Sequence, residues 1–289
     1  MSLGGIIDMD GFPLAYRIEG EGPPVLIVGS ETYYPRLFSQ ELRKKLQLIF
    51  VDHRAFVKPS RSIKPEDYTL ERIVQDMEVI RTTLKLGRVT VLGHSGSAFI
   101  ALEYARTYPG HTATAVLLNS APTNSAERQQ GSLRHFDETA SPERKAKFER
   151  DIALLPGDIE REPERRFAHA CIRMAAHSFY DPGVDAAPMW EGVYTNMEII
   201  DHLWGRVFAE IDMLERLHEV KAPVWIGLGR YDYLVSPVSL WDGIEERCSH
   251  VKVTVFEHSG HNPMWEEPEV FDRMLTEWVD GKESNSSLI

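Results

Sequence analysis

Residues 89–104, VTVLGHSGSAFIALEY, decide how the rest of the chain reads. Val89 to Gly93 is mostly apolar and β-branched, as a buried strand requires, and from Gly96 onward small and apolar residues follow the spacing of a packed helix. Between them sits Gly93-His94-Ser95-Gly96-Ser97. A serine at so tight a strand-to-helix turn holds its hydroxyl above the sheet edge, and its neighbours must be small because the two backbone arms nearly touch. A bare Gly-x-Ser pattern would serve an ordinary loop equally well. The flanking strand and helix favour a nucleophile, and no other serine in the sequence has both. The pattern usually ends in glycine, and Ser97 at that position implies a tighter approach to the neighbouring strand.

The chain has 289 residues, enough for one large α/β domain with an insertion. With 43% hydrophobic and 26% charged residues it has the composition of an ordinary globular protein, and a net charge of −12 leaves no electrostatic footprint for nucleic acid or an anionic membrane. Cys171 and Cys248 have neither paired nor metal-like spacing, so neither a disulfide framework nor a metal site is implied. The first residues lack the pattern of a signal peptide and no run approaches ~18 apolar residues, which points to a cytoplasmic protein. Met1 to Leu3 and Ser284 to Ile289 are left out of the fold argument.

Outward from the central stretch, strand and helix patterns alternate. Gly5 to Arg17 reads as two short strands joined at Asp10-Gly11, and Val25 to Val28 and Leu48 to Val51 as strands covered on both faces. Tyr34 to Leu46 carries Leu37, Phe38, Leu42 and Leu46 at helical spacing. Thr69 to Leu86 has a clear period near 3.6 in Leu70, Ile73, Val74, Met77, Ile80 and Leu84, closing at Gly87. Ala115 to Leu118, Val224 to Leu228 and Val251 to Phe256 supply further strands. Val207 to Val220, Ser236 to Arg247 (with Pro237 at its first position) and Pro268 to Val279 supply helices. Such alternation predicts a mostly parallel sheet with helices on both faces. Between Pro122 and Gly205 it is lost. That stretch is polar, too long for a loop, and reads as a helical lid over the sheet edge. Its charge-dense parts, Ser141 to Asp151 and Asp158 to Arg166, read as solvated faces. The expected organisation is a core of residues 1–121 and 206–289 with a cap insertion at 122–205.

A serine hydroxyl needs a base to take its proton, and histidine suits because its unperturbed pKa lies near ~6.5. The histidine in turn needs a carboxylate to fix its tautomer. Ser95, Asp232 and His261 each follow a strand, and therefore fall at the carboxyl edge of a parallel sheet. They occur in the chain in the order Ser, Asp, His. His258 is the rival base, but it lies right at the strand end. A metal at His258-x-x-His261 lacks a third ligand cluster.

With these residues in place, the chain resembles the α/β-hydrolase family over nearly its whole length. The likeness rests on the elbow, on Gly229-Arg230-Tyr231-Asp232 for the acid and on Ser259-Gly260-His261 for the base. It implies an eight-stranded sheet, no cofactor and a small-molecule substrate. It also implies an oxyanion hole from the backbone N–H of Gly96 and of a residue after the strand Val25 to Val28. Relatives usually carry His-Gly there; here Gly29-Ser30-Glu31 makes Glu31 the donor, with Ser30 as the alternative. A second departure is Asp52-His53-Arg54-Ala55-Phe56-Val57, where relatives show Asp-x-Arg-Gly-x-Gly. Asp52 and Arg54 are read as a structural pair below the pocket.

The resemblance is greatest to the proline iminopeptidase-like and carboxylesterase branch. In that branch lid carboxylates bind the substrate's amine, and Glu191 and Glu198, near Trp190 and Trp204, are the residues available, weighed against a surface position. Esterase and peptidase activities are equally consistent with these residues. A small-molecule receptor with a slow triad, or a lactone or carbon–carbon bond hydrolase, is the alternative.

Overall fold

The computed structural model describes residues 3–281. The chain ends set aside above lie outside it, apart from Leu3. One sheet of eight strands is built from β1 (Leu3–Asp8), β2 (Pro13–Glu19), β3 (Pro24–Gly29), β4 (Gln47–Asp52), β5 (Val89–His94), β6 (Thr112–Leu118), β7 (Val224–Gly229) and β8 (Val251–Phe256). Their order is β1-β2-β4-β3-β5-β6-β7-β8. The β1–β2 and β2–β4 pairs are antiparallel, and every pair from β4 to β8 is parallel. Asp10 and Gly11 join β1 to β2 with φ of +56° and +87°, as a two-residue hairpin turn demands.

Both faces of the sheet are apolar. On β3, Leu26 and Val28 face the cluster that includes helices α1 (Leu70–Thr83) and α2 (Ser97–Thr107), while Val25 and Ile27 face the opposite one. This period-two alternation with apolar residues on both sides is why the strands read as continuous hydrophobic runs. The connection after β3 leads outward to β4, and the one after β5 leads the other way to β6. The crevice between the carboxyl ends of β3 and β5 is thus the switch point where an open α/β sheet receives its ligand.

Between β6 and β7 the chain is helical. It forms α3 (Ala126–Thr139), α4 (Pro142–Ile152), α5 (Leu155–Arg161), α6 (Arg166–Arg173), α7 (Ala175–Ser178), α8 (Ala187–Trp190) and α9 (Met197–Gly205), with α10 (Met213–Arg216) leading into β7. After β7 come α11 (Ile244–Arg247), α12 (Pro263–Glu266) and α13 (Pro268–Val279). Two residues of the charge-dense stretches are internal, not solvated. Arg144 donates to the carbonyls of Ala176, Phe179 and Tyr180, and Asp158 accepts from Arg161 and Arg173. No described helix is long and apolar enough to cross a membrane.

Several local expectations give way to side-chain chemistry. Residues 34–46 form two short 3-10 turns in place of one helix. The Arg43 guanidinium takes the carbonyls of Pro35, Phe38 and Ser39 at 2.7–2.8 Å, and these are the acceptors that a helix would use. The stretch from Val207 to Val220 is broken because Asp212 caps a fresh start, accepting from Leu214 N at 2.8 Å. Gly243, at φ +75°, divides residues 238–247 into a 3-10 turn and α11. After α1 the left-handed residue is Lys85, φ +55°, so the helix stops before Gly87.

Asp52 and Arg54 do not pair. Asp52 accepts from Glu31 N at 2.7 Å and Ala15 N at 3.3 Å, and burial pushes its carboxyl up to about 7. Arg54, fully buried, forks onto Asp76 at 2.5 and 3.0 Å and lies over the Phe12 ring. Removing one partner of such a pair leaves the other charged and dry, at about 3–5 kcal/mol. Arg54→Ala is expected to lower stability by about that amount in urea unfolding, and a change below about 1 kcal/mol would show that Asp76 finds another partner.

Candidate active site

Ser95 occupies the turn between β5 and α2 with φ +56°, a left-handed conformation that a non-glycine residue holds only when its surroundings impose it. The surroundings are visible. Ser95 N donates to Leu118 O at 2.8 Å, and a Cβ on Gly93 would lie 2.2 Å from Ser97 O. Gly96 is equally constrained, because a Cβ there would lie 2.5 Å from the Trp204 indole. Ser97 is buried where the elbow pattern has glycine, and it begins α2.

His261 and Asp232 meet above the ends of β7 and β8. His261 Nδ1 lies 2.7 Å from Asp232 Oδ2, and a carboxylate partner makes Nδ1 the protonated nitrogen. Asp232 is otherwise held by Asn119 Nδ2 at 2.8 Å and Leu234 N at 3.0 Å. Asn119 directly follows β6, at φ +46°. In the fold its amide joins the acid and base loops, since Nδ2 also donates to Gly260 O at 2.9 Å. The rival His258 packs edge-on against Tyr180, with ring centroids 5.6 Å apart.

Further groups hold the base loop. His94 Nε2 lies 2.6 Å from His261 O, and its Nδ1 lies 3.2 Å from the Tyr34 hydroxyl. Burial pulls the His94 imidazole well below its ordinary pKa, so the ring is neutral, donating from Nε2 and accepting at Nδ1. Glu266 accepts from Gly260 N, Asn262 N and Tyr180 N at 2.7–3.0 Å, and the helical insert contributes Ser178 O, which accepts from His261 N. No single-residue pattern in the sequence marks Tyr34 or Glu266. Tyr34 acts through a contact across the fold, and Glu266 ties its own loop to Tyr180 of the insert.

Ser95, His261, Gly96 and Ser30 share the wall of one cavity of about 260 Å³, beneath the insert. The Ser95 hydroxyl makes no hydrogen bond among the described residues. In unliganded enzymes that contact is commonly loose and tightens with substrate. Trp190 and Trp204 line this cavity, Trp190 packing on Tyr33 with centroids 4.6 Å apart. Glu191 and Glu198 do not. Glu191 borders a separate surface groove, and Glu198 accepts from the Tyr68 hydroxyl at 3.0 Å. Glu31 departs from its expected role as well, because its N–H already donates to Asp52. The N–H groups of Ser30 and Gly96 have no acceptor among the described residues. Cys171 also reaches the cavity, but burial pushes its thiol up to about 12, which keeps it protonated and a poor nucleophile.

Comparison with known proteins bears on the family and the fold. The sequence profile of the alpha/beta hydrolase fold matches residues 26–268. The AB hydrolase superfamily protein YclE of Bacillus subtilis (strain 168) is 57% identical over 280 residues, covering 97% of this chain and 100% of that one. A proline iminopeptidase of Heyndrickxia coagulans is 24% identical, with 96% of this chain and 98% of the relative covered. Among solved structures, an alpha/beta fold family hydrolase from Bacillus anthracis str. Sterne aligns with a TM-score of 0.73 at 20% identity, over 98% of this chain and 99% of that one. From the parallel sheet, the strained serine elbow and a family match spanning the elbow and both later loops, it follows that this chain belongs to the α/β hydrolase family.

Proposed function

We propose that the protein is a serine hydrolase that cleaves a small ester by way of an acyl-enzyme, with residues 122–205 acting as its lid. The observation that carries this reading is the 2.7 Å contact of Asp232 with His261 beside the same cavity onto which Ser95 opens. Ser95 Oγ attacks the carbonyl, and His261 Nε2, the nitrogen left free by Asp232, takes the proton and passes it to the leaving group. Water then follows the same route and releases the acid. The N–H groups of Gly96 and Ser30 receive the oxyanion, and loss of one such donor typically lowers the rate about 10²–10³-fold.

An ester is preferred over an N-terminal peptide because nothing in the cavity wall matches a substrate ammonium. No aspartate or glutamate side chain lines it among the described residues. The relatives named as proline iminopeptidases support acyl transfer as the reaction class, not their substrate as this protein's. The direct test is labelling with a fluorophosphonate, followed by peptide mass spectrometry. The adduct is expected on Ser95. An adduct elsewhere would defeat the Ser95 mechanism, and no adduct together with tight binding of a small molecule and no turnover would favour a receptor over an enzyme.

A further inference from the structure

Among the described residues the cavity wall holds one permanently charged side chain, Arg128, in the first turn of α3. All of its hydrogen-bond partners are neutral oxygens: Thr123 O at 3.1 Å, Leu234 O at 2.7 Å, Ser132 Oγ at 3.3 Å and Asn124 Oδ1. No carboxylate lies within ion-pair distance of it among the described residues. By contrast, Arg43, Arg54, Arg106 and Arg173 each have an aspartate or glutamate within 2.9 Å.

Arg128 is half-buried, and a guanidinium partly withdrawn from water into a largely apolar cavity is best accommodated when a partner of opposite charge restores the lost interaction. Burial lowers the Arg128 pKa, and the one opposing charge, that of Asp232, is already engaged by His261 and Asn119. Arg144 shows what a purely structural arginine looks like in this insert. It too binds carbonyls, but it packs against the rings of Tyr231 and Tyr233 and does not reach the cavity. Five N–H donors and four protein acceptors leave Arg128 one donor on Nη2 for a ligand. The overall charge of −12 offers an anion no long-range attraction, so recognition of one has to be local.

We infer that Arg128 is the counter-ion for a carboxylate on the substrate, so that the preferred substrate is a short ester carrying a free carboxylate, such as a half-ester of a dicarboxylic acid. One cation matches one monoanionic group, and about 260 Å³ lies just below the range of ligand pockets, ~300–1,000 Å³, which suits a short chain. The inference rests on the acyl-transfer reading for the reaction and on Arg128 alone for the charge.

The test compares p-nitrophenyl hemiglutarate with the neutral p-nitrophenyl ester in which an isopropyl group replaces the carboxylate. Wild type is expected to favour the anionic ester in kcat/KM. Arg128→Gln is expected to reduce the anionic-to-neutral ratio about 10- to 100-fold, the range for a hydrogen bond to a charged group. Arg128→Lys, which retains the charge, should keep an intermediate ratio. A ratio within one variant does not depend on the fraction folded, so the strap that Arg128 also provides to Leu234 cannot imitate the result. If hydrolysis depends on Ser95 but Arg128→Gln leaves the ratio as it was, the carboxylate site is refuted while acyl transfer stands. If neither ester is cleaved, acyl transfer fails, and calorimetry with monomethyl glutarate decides the charge site. Binding lost in Arg128→Gln supports it, and equal binding overturns it.

Discussion

Ser95→Ala is expected to lower kcat on a p-nitrophenyl ester by about 10⁴–10⁶-fold, the scale on which removal of a nucleophile acts when the rest of the site is intact. The size of the effect follows from what remains. Without the hydroxyl there is no acyl-enzyme, and the oxyanion donors and the cavity can assist only direct attack by water. The substitution should leave thermal unfolding almost unchanged. The Ser95 side chain makes no hydrogen bond among the described residues, and alanine carries the same Cβ at φ +56°. Activity within tenfold of wild type, measured on protein freed of contaminating esterase by a second chromatographic step, would end the serine mechanism.

Asp232→Asn is expected to lower kcat by about 10⁴-fold, through the tautomer of His261 and not through its position. Asp232 Oδ2 accepts from both His261 Nδ1 and Asn119 Nδ2, and Oδ1 accepts from Leu234 N. An asparagine amide offers one acceptor oxygen to these three donors. With its NH₂ toward the imidazole, His261 must accept at Nδ1 and carry its proton on Nε2, where it cannot take one from Ser95. Because the two residues act as a unit, Asp232→Asn on a Ser95→Ala background should lose little more than Ser95→Ala alone. Additive losses would mean that Asp232 serves something other than the base. The Asn119 bridge predicts a simultaneous fall in stability, readable as a lower urea midpoint, because Asn119 Nδ2 then faces an amide NH₂ where it had an acceptor.

The elements legible in the sequence are those whose signal is local. The runs around Val25, Leu48, Val89, Ala115, Val224 and Val251 are strands because both faces of the sheet are covered, and α1 and α13 show their buried stripe at helical spacing. Where a side chain takes over backbone acceptors, as Arg43 does between residues 35 and 39, apolar spacing alone misleads. The same cause explains Glu31. Its place in the loop matched an oxyanion donor, but Asp52, 21 residues later in the chain, claims its N–H. Asp52 and Arg54, two residues apart, serve different partners, one in the loop after β3 and the other on α1.

The sequence by itself determined the class of the fold and the order of its candidate site residues. A serine at a strand-to-helix turn, an aspartate and a histidine after later strands, and alternating apolar runs are local patterns tied to backbone period and turn sterics. Only the tertiary structure decided what surrounds that chemistry. It turned Glu191 and Glu198 away from the cavity, left Arg128 as the permanent cation in its wall, and joined Asn119, His94 and Glu266 to the acid and base loops. Apart from the bonds of Glu266 to Gly260 and Asn262, such contacts bring together residues tens to hundreds of positions apart, and their energy depends on burial and on competing partners, neither of which has a period along the chain.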